Sequence, residues 1–161
     1  MGAVALECNL WGRARLIEGL MILIVDDQKD NGTALERLLR YAGHEAVSVT
    51  GGAEALAFLH IRKPSLLVLD VNMPDMDGLT VLKTIKEHQE LKDVRVAMYT
   101  ADSQHVTRSQ AMQLGAVDFL VKGTVGFDKL VARICELADD GPCPRHDPRA
   151  SGTDRGDGKR G

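Results

Sequence analysis

Five short apolar runs punctuate the chain, at Ile22–Val25, Ala46–Val49, Leu66–Leu69, Val94–Met98 and Val117–Val121. The first and third are apolar without a break, which predicts strands covered on both faces. Between the runs the apolar positions change to a helical period. Leu35, Leu38, Leu39 and Ala42 fall on one stripe, and Gly43 stands where a helix C-terminus is capped. Ala55, Leu56 and Leu59 form a second stripe before Pro64, and Leu79, Leu82 and Ile85 a third. Met112 and Leu114 lead to Gly115, another helix stop, and Phe127, Leu130, Val131, Ile134 and Ala138 make the last stripe. Five strand–helix pairs in about 120 residues predict an α/β fold, a five-stranded parallel sheet doubly wound as (βα)5.

The pattern begins at Met21 and fades after Ala138, so three segments are expected. Residues 1–20 form an N-terminal extension of unassigned role. Glu7, which interrupts the apolar part, and the position of Arg13 and Arg15 after it do not fit a signal peptide. Residues 21–138 form the folded domain. Residues 139–161 are Gly, Pro and charge, too polar to offset their ordering entropy, and are expected to be a disordered tail.

Composition narrows the partners. Of 161 residues 44% are hydrophobic and 27% charged, and the net charge of −3 gives no electrostatic footprint for nucleic acid or an anionic membrane. Aromatics at 4% are too few for base-stacking platforms, and no apolar run reaches membrane-span length. Three scattered cysteines (Cys8, Cys135, Cys143) do not make a disulfide framework, so a reducing, cytoplasmic location is expected. Cys143 and His146 lack a second ligand pair and are read as a chance spacing.

The chemistry gathers where the strands end. The first predicted strand runs into Asp26-Asp27, the third into Asp70, the fourth into Tyr99-Thr100 and the fifth into Lys122. In a parallel sheet these positions share one edge, the edge at which such folds bind ligands. Three carboxylates in one place repel unless a cation joins them, and Mg²⁺ suits an oxygen donor set that also leaves room for water and phosphate. A carboxylate beside such an ion, with an ammonium and a hydroxyl aimed at the same point, is arranged for phosphoryl transfer to Asp70.

Taken in order, "ILIVDD", "LDVNMPDMDG", "MYTAD" and "DFLVK" resemble the receiver domain of two-component response regulators, over roughly residues 21 to 138. Each motif alone is weak, whereas the ordered set is specific. The resemblance implies the flavodoxin-like strand order 2-1-3-4-5, which is also the order general for such receivers. It makes Asp70 the phosphoacceptor and Asp27 a direct Mg²⁺ ligand. Asp26 joins the acidic pair mostly through water, and the Asn72 backbone carbonyl completes the ligands. Thr100 becomes the switch hydroxyl, Lys122 the phosphate-contacting lysine and Phe119 the aromatic switch residue, although Phe119 reads equally as core. Asn72 and Asp102 fall at positions that tune dephosphorylation. Pro74 and Gly78 are expected to shape the turn after Asp70, and Asp75 and Asp77 to serve as turn and cap residues. The chain departs from receivers at Lys122-Gly123, where proline is usual, so a trans peptide and a looser following loop are expected.

The implied function is a single-domain response regulator that takes a phosphoryl group from a sensor histidine kinase or a histidine phosphotransfer protein. It would signal through contacts with a downstream protein, without DNA or membrane binding by this chain. A phosphorylation-dependent dimer is compatible with that reading. It is not an enzyme toward other substrates. Two alternatives stand beside it: a receiver-fold interaction module that is never phosphorylated, and an Asp-nucleophile phosphatase. The second needs an acid two residues after the nucleophile, and Asn72 cannot supply one. His44, His60, His88 and His105 fall at element ends or on polar faces of the pattern, so no phosphodonor histidine is assigned.

Overall fold

The computed structural model describes residues 21–101 and 104–139. The extension 1–20, Asp102 and residues 140–161, which include Cys143 and His146, lie outside the described residues. In chain order the elements are β1 Met21–Val25, α1 Lys29–Tyr41, β2 Glu45–Val49, α2 Gly52–Ile61, β3 Leu66–Leu69, α3 Gly78–Glu87, β4 Val96–Thr100, α4 His105–Gln113, β5 Asp118–Val121 and α5 Phe127–Asp139. All strand pairs are parallel, in the order β2-β1-β3-β4-β5. This is the expected doubly wound sheet.

Alternation along the strands divides the core in two. On β1, Leu23 and Val25 point to the face that packs against Ala55, Leu59, Val81, Leu82, Ile85 and Ala111 of α2, α3 and α4. Ile22 and Ile24 point to the other face, against Leu35 and Leu39 of α1 and Leu130 and Ile134 of α5. All five residues of β1 and all four of β3 are buried, which is why these two runs carry no polar alternation. Each fully buried Leu or Ile contributes roughly 1.5–3 kcal/mol. Among the described residues no helix is long and apolar enough to cross a membrane.

Helix ends follow local chemistry. After α1, Gly43 takes φ +93°, with Gly43 N–H donating to the Arg40 carbonyl and His44 N–H to the Leu39 carbonyl. After α4, Gly115 repeats the pattern at φ +97°, with bonds to Met112 and Ala111. Both are Schellman endings that only glycine adopts without strain. β2 lies at the end of the sheet order, and α1 covers its outer backbone. Glu36 accepts from the Ser48 N–H at 3.0 Å, and Arg40 Nε donates to the Ala46 carbonyl at 3.0 Å. These contacts shield an edge that would otherwise be open to strand addition.

Three sequence expectations shift. The fourth strand begins at Val96, not Val94, and runs through Thr100. Val94 instead closes a turn onto the Leu91 carbonyl, and its own carbonyl accepts from Lys86 Nζ at 2.8 Å. At the other end Tyr99 and Thr100 pair with Leu120 and Val121, so the hydroxyl is the last residue of the strand. The α5 stripe starts at Leu130, because Phe127 opens the helix beside the β5–α5 loop and is 60% exposed. Gly78 is required for space, not for backbone freedom. A Cβ there would overlap the Asp70 carbonyl oxygen and crowd the Val71 Cα.

These positions predict a graded series. Gly78→Ala is expected to cost about 1–3 kcal/mol, because rigid backbone must shift. Gly123→Ala meets nothing within 4 Å but sits at φ +79°, for a cost of about 1 kcal/mol. Gly126→Ala has open space and no positive φ, and should stay within about 0.5 kcal/mol. Urea unfolding of the three variants checks the order. Gly78→Ala as stable as Gly126→Ala would contradict it.

Candidate functional site

Sheet hydrogen bonding carries the functional side chains to one edge. Asp26 N–H donates to the Val49 carbonyl at 3.2 Å, Asp70 N–H to Val25 at 2.9 Å and Lys122 N–H to Thr100 at 2.8 Å. Each residue is thus the last on its strand still tied to a neighbour, so its side chain projects from rigid backbone. Asp26 and Asp70 are 3% and 6% exposed. Thr100 is fully buried at the end of β4. Asp27 is more open than Asp26 and lines a cleft of about 490 Å³ with Val71, Asn72, Met73, Pro74 and Asp77.

Lys122 joins the two buried carboxylates. Its Nζ donates to Asp26 Oδ2 at 2.6 Å and to Asp70 Oδ2 at 2.8 Å. The second oxygens are held by backbone: Gln28 N–H donates to Asp26 Oδ1 at 2.9 Å and Asn72 N–H to Asp70 Oδ1 at 3.2 Å. Burial pushes the Lys122 ammonium down, but hydrogen bonds to Asp26 and Asp70 and their charges outweigh it, and its pKa ends above the usual lysine value. The same ammonium lies 5.3 Å from the centre of the Tyr99 ring. Burial raises the Tyr99 phenol, Lys122 pulls it back, and the two carboxylates add to the rise.

One carboxylate oxygen each from Asp26, Asp27 and Asp70 lie within 4.8 Å of one another. A six-coordinate Mg²⁺ with bonds of about 2.1 Å has opposite ligands about 4.2 Å apart, so small side-chain adjustments bring these oxygens onto one ion. The donor set is all hard oxygen, which fits Mg²⁺ or Mn²⁺ and not a thiophilic metal. Asn72, the other expected ligand, lies beside Asp27 on the cleft wall.

The loop after Asp70 is fastened at three points. Asp77 caps α3, with Oδ1 accepting from Leu79 N–H at 2.8 Å and Oδ2 from the Thr80 hydroxyl at 2.7 Å. Asp75 reaches across to the start of α2, where it accepts from Ala53 N–H at 3.3 Å. That bond holds its carboxyl below the usual value. Gly51 lies against this carboxylate, and a Cβ there would come within 2.9 Å of Asp75 Oδ2. Gly78 seats the loop on the Asp70 carbonyl. No described peptide is cis, Lys122–Gly123 included.

The structure therefore brings Asp26, Asp27, Asp70 and Lys122 together and places Thr100 and Asn72 on the same edge. Phe119 is not at the edge. It pairs with Met98, two rows in from Thr100, is 3% exposed, and has the Arg108 guanidinium 6.0 Å from its ring centre. Asp102 lies outside the described residues. Sequence reasoning missed two features. Asp75 caps a helix 22 residues earlier, which no local signal announces. Tyr99 lies under the lysine, which the phase of β4 reveals only once strand register is known.

Lys122→Met leaves Asp26 and Asp70 facing each other without their shared cation, at an expected cost of about 1–3 kcal/mol at neutral pH. The cost should shrink in millimolar Mg²⁺. Because the folded pKa of Lys122 lies above its ordinary 10.5, its contribution is complete below that value and fades as pH rises through the higher folded value. The stability gap between wild type and Lys122→Met should hold from about pH 7 to about pH 10 and close above that range. Thermal melts across the range check this. A gap that persists unchanged to high alkali would contradict it.

Comparison with known proteins supplies the family. The family model for the response regulator receiver domain matches residues 22–135. Transcriptional regulatory protein PrrA of Mycobacterium tuberculosis is 39% identical over 116 residues, covering 72% of this chain and 48% of that protein. The chain thus spans about half the length of that relative. Among solved structures, chemotaxis protein CheY4 of Vibrio cholerae is 25% identical with a TM-score of 0.68, covering 74% of this chain and 98% of that one. The Mn²⁺-bound form of response regulator Rcp1 is 28% identical with a TM-score of 0.65, covering 73% and 92%. With the strand order, the acidic edge and the lysine in place, this chain belongs to the response regulator receiver domain family.

Proposed function

We propose that this receiver accepts a phosphoryl group on Asp70 from a phosphohistidine of a sensor kinase or phosphotransfer protein. The supporting observation is the edge itself: three carboxylates within 4.8 Å of one another and a lysine hydrogen-bonded to two of them. An Asp70 carboxylate oxygen attacks phosphorus, the P–N bond breaks, and its electron pair stays on the leaving imidazole. Mg²⁺ held by Asp27, Asp70, the Asn72 carbonyl and Asp26, the last mostly through water, would neutralise charge on the phosphoryl oxygens. Lys122 exchanges its bond to Asp70 for one to a phosphoryl oxygen. The Thr100 hydroxyl donates to another.

The same arrangement makes the output a population shift. Thr100 moves toward the phosphoryl group, and Phe119, two rows deeper on β5, repacks against Met98 and Arg108. The altered face is then read by a downstream protein. Asn72 and Asp102 set the rate at which water removes the phosphoryl group. The chain catalyses its own phosphorylation and dephosphorylation and no turnover of other phosphate esters. A buried core position for Phe119 suits this switch, since a small bias at the edge must be converted into a repacking step.

The test is the intact mass after incubation with a small-molecule phosphodonor, with and without Mg²⁺, beside Asp70→Asn. One added phosphoryl group is expected in wild type with Mg²⁺, and none in Asp70→Asn or in chelator. Addition that survives Asp70→Asn, or steady hydrolysis of a phosphomonoester at many turnovers per chain, would overturn the proposal.

A further inference from the structure

The lysine has to cross a strand to reach its partners. β4 lies between β3 and β5, and neighbouring strands are about 4.8 Å apart, so Asp70 and Lys122 start about 10 Å from each other. Leu69 pairs with Met98, which sets Asp70 one position on, opposite Tyr99. Tyr99 pairs with Leu120, which puts Lys122 two positions further along on the same face. The side chain of Lys122 therefore passes over Tyr99 on its way to Asp26 and Asp70, and its Nζ stands 5.3 Å from the ring centre. The loop after Lys122 is tied locally, by Thr124 N–H and the Thr124 hydroxyl donating to the Val121 carbonyl at 3.4 and 2.8 Å, and these bonds act on main chain and not on the lysine side chain. Gly123 has φ +79°, and a Cβ at Gly123 or at Gly126 would meet nothing within 4 Å.

We infer that Tyr99 is a positioning residue for Lys122. Its half-buried ring is the floor that carries the ammonium across β4 and fixes it between the two carboxylates, whereas the bonds of the following loop hold only the main chain. The attraction is that of a cation over an aromatic face, and it strengthens where water is partly excluded. The phenol hydroxyl is not needed for this role. The inference rests on the phosphoryl-acceptor reading only for its consequence, since the contact itself exists in the unphosphorylated protein.

Two readouts test it. In unphosphorylated wild type, the Lys122 εCH2 proton resonances, assigned with Lys122→Arg, should be displaced upfield by the ring. The displacement should persist in Tyr99→Phe and vanish in Tyr99→Leu. Binding of fluoroberyllate, a phosphoryl mimic, in the presence of Mg²⁺ should be unchanged in Tyr99→Phe and weakened about 3- to 10-fold in Tyr99→Leu. Mg²⁺ affinity should be the same in both variants. Should Tyr99→Leu not fold, Tyr99→Met and the wild-type resonances carry the same test.

Undisplaced Lys122 resonances in wild type would overturn the inference, as would full fluoroberyllate affinity in Tyr99→Leu. Equal weakening in Tyr99→Phe and Tyr99→Leu would assign the effect to the hydroxyl and also overturn it. If the resonances are displaced but Lys122→Arg and Tyr99→Leu both bind fluoroberyllate as wild type does, the phosphoryl role of Lys122 fails, and the positioning role falls with it. If wild type binds the mimic and Lys122→Arg does not, an absent displacement removes the Tyr99 inference alone.

Discussion

Mutual repulsion of carboxylates at the end of a parallel sheet is the constraint around which this domain is arranged. Asp26, Asp27 and Asp70 bring oxygens within 4.8 Å of one another, two of them on almost fully buried residues. Such a cluster is costly unless cations share it. Lys122 supplies one, bound to Asp26 and Asp70 together. The cleft beside Asp27 leaves room for a second. On the proposed phosphoryl-acceptor reading the lysine bond is reversible, since a divalent ion and a phosphoryl oxygen would take over its contacts.

The sheet makes this geometry cheap to build. Parallel strands all end at the same edge, and backbone bonds one residue past β1, β3 and β5 fix where each functional side chain leaves the sheet. Precision at the edge depends on the loops behind it. Gly78 packs on the Asp70 carbonyl, and Asp75 ties the same loop to the start of α2. Among the described residues the loop after β5 is fastened only locally, by Thr124 to the Val121 carbonyl, and the Lys122 side chain lies over the Tyr99 ring on the neighbouring strand.

Much of this was legible from residue order alone. Continuous apolar runs at Ile22–Val25 and Leu66–Leu69 located two of the three interior strands, because both faces of those strands are covered. Gly43 and Gly115 marked helix ends, because only a residue free to take positive φ closes a Schellman turn. The carboxylates, threonine and lysine stand directly at the carboxyl ends of the apolar runs, so strand position alone exposed them. The features that stayed hidden depend on contacts between distant residues. Val94 looked like strand because it is apolar, but a lysine on α3 claims its carbonyl. Gly78 was expected to shape a turn, but what requires it is the backbone of Asp70 and Val71 beside it in space. Phe127 continued a helical stripe, yet it opens the helix beside a loop and stays exposed.

Calorimetric titration of Mg²⁺ into the protein, beside Asp27→Asn, tests the shared-cation account most directly. One binding site in wild type that is lost or greatly weakened in Asp27→Asn is the predicted result. Absence of binding in wild type, or equal binding by both proteins, would contradict the claim that this acidic edge is built to be completed by a divalent ion.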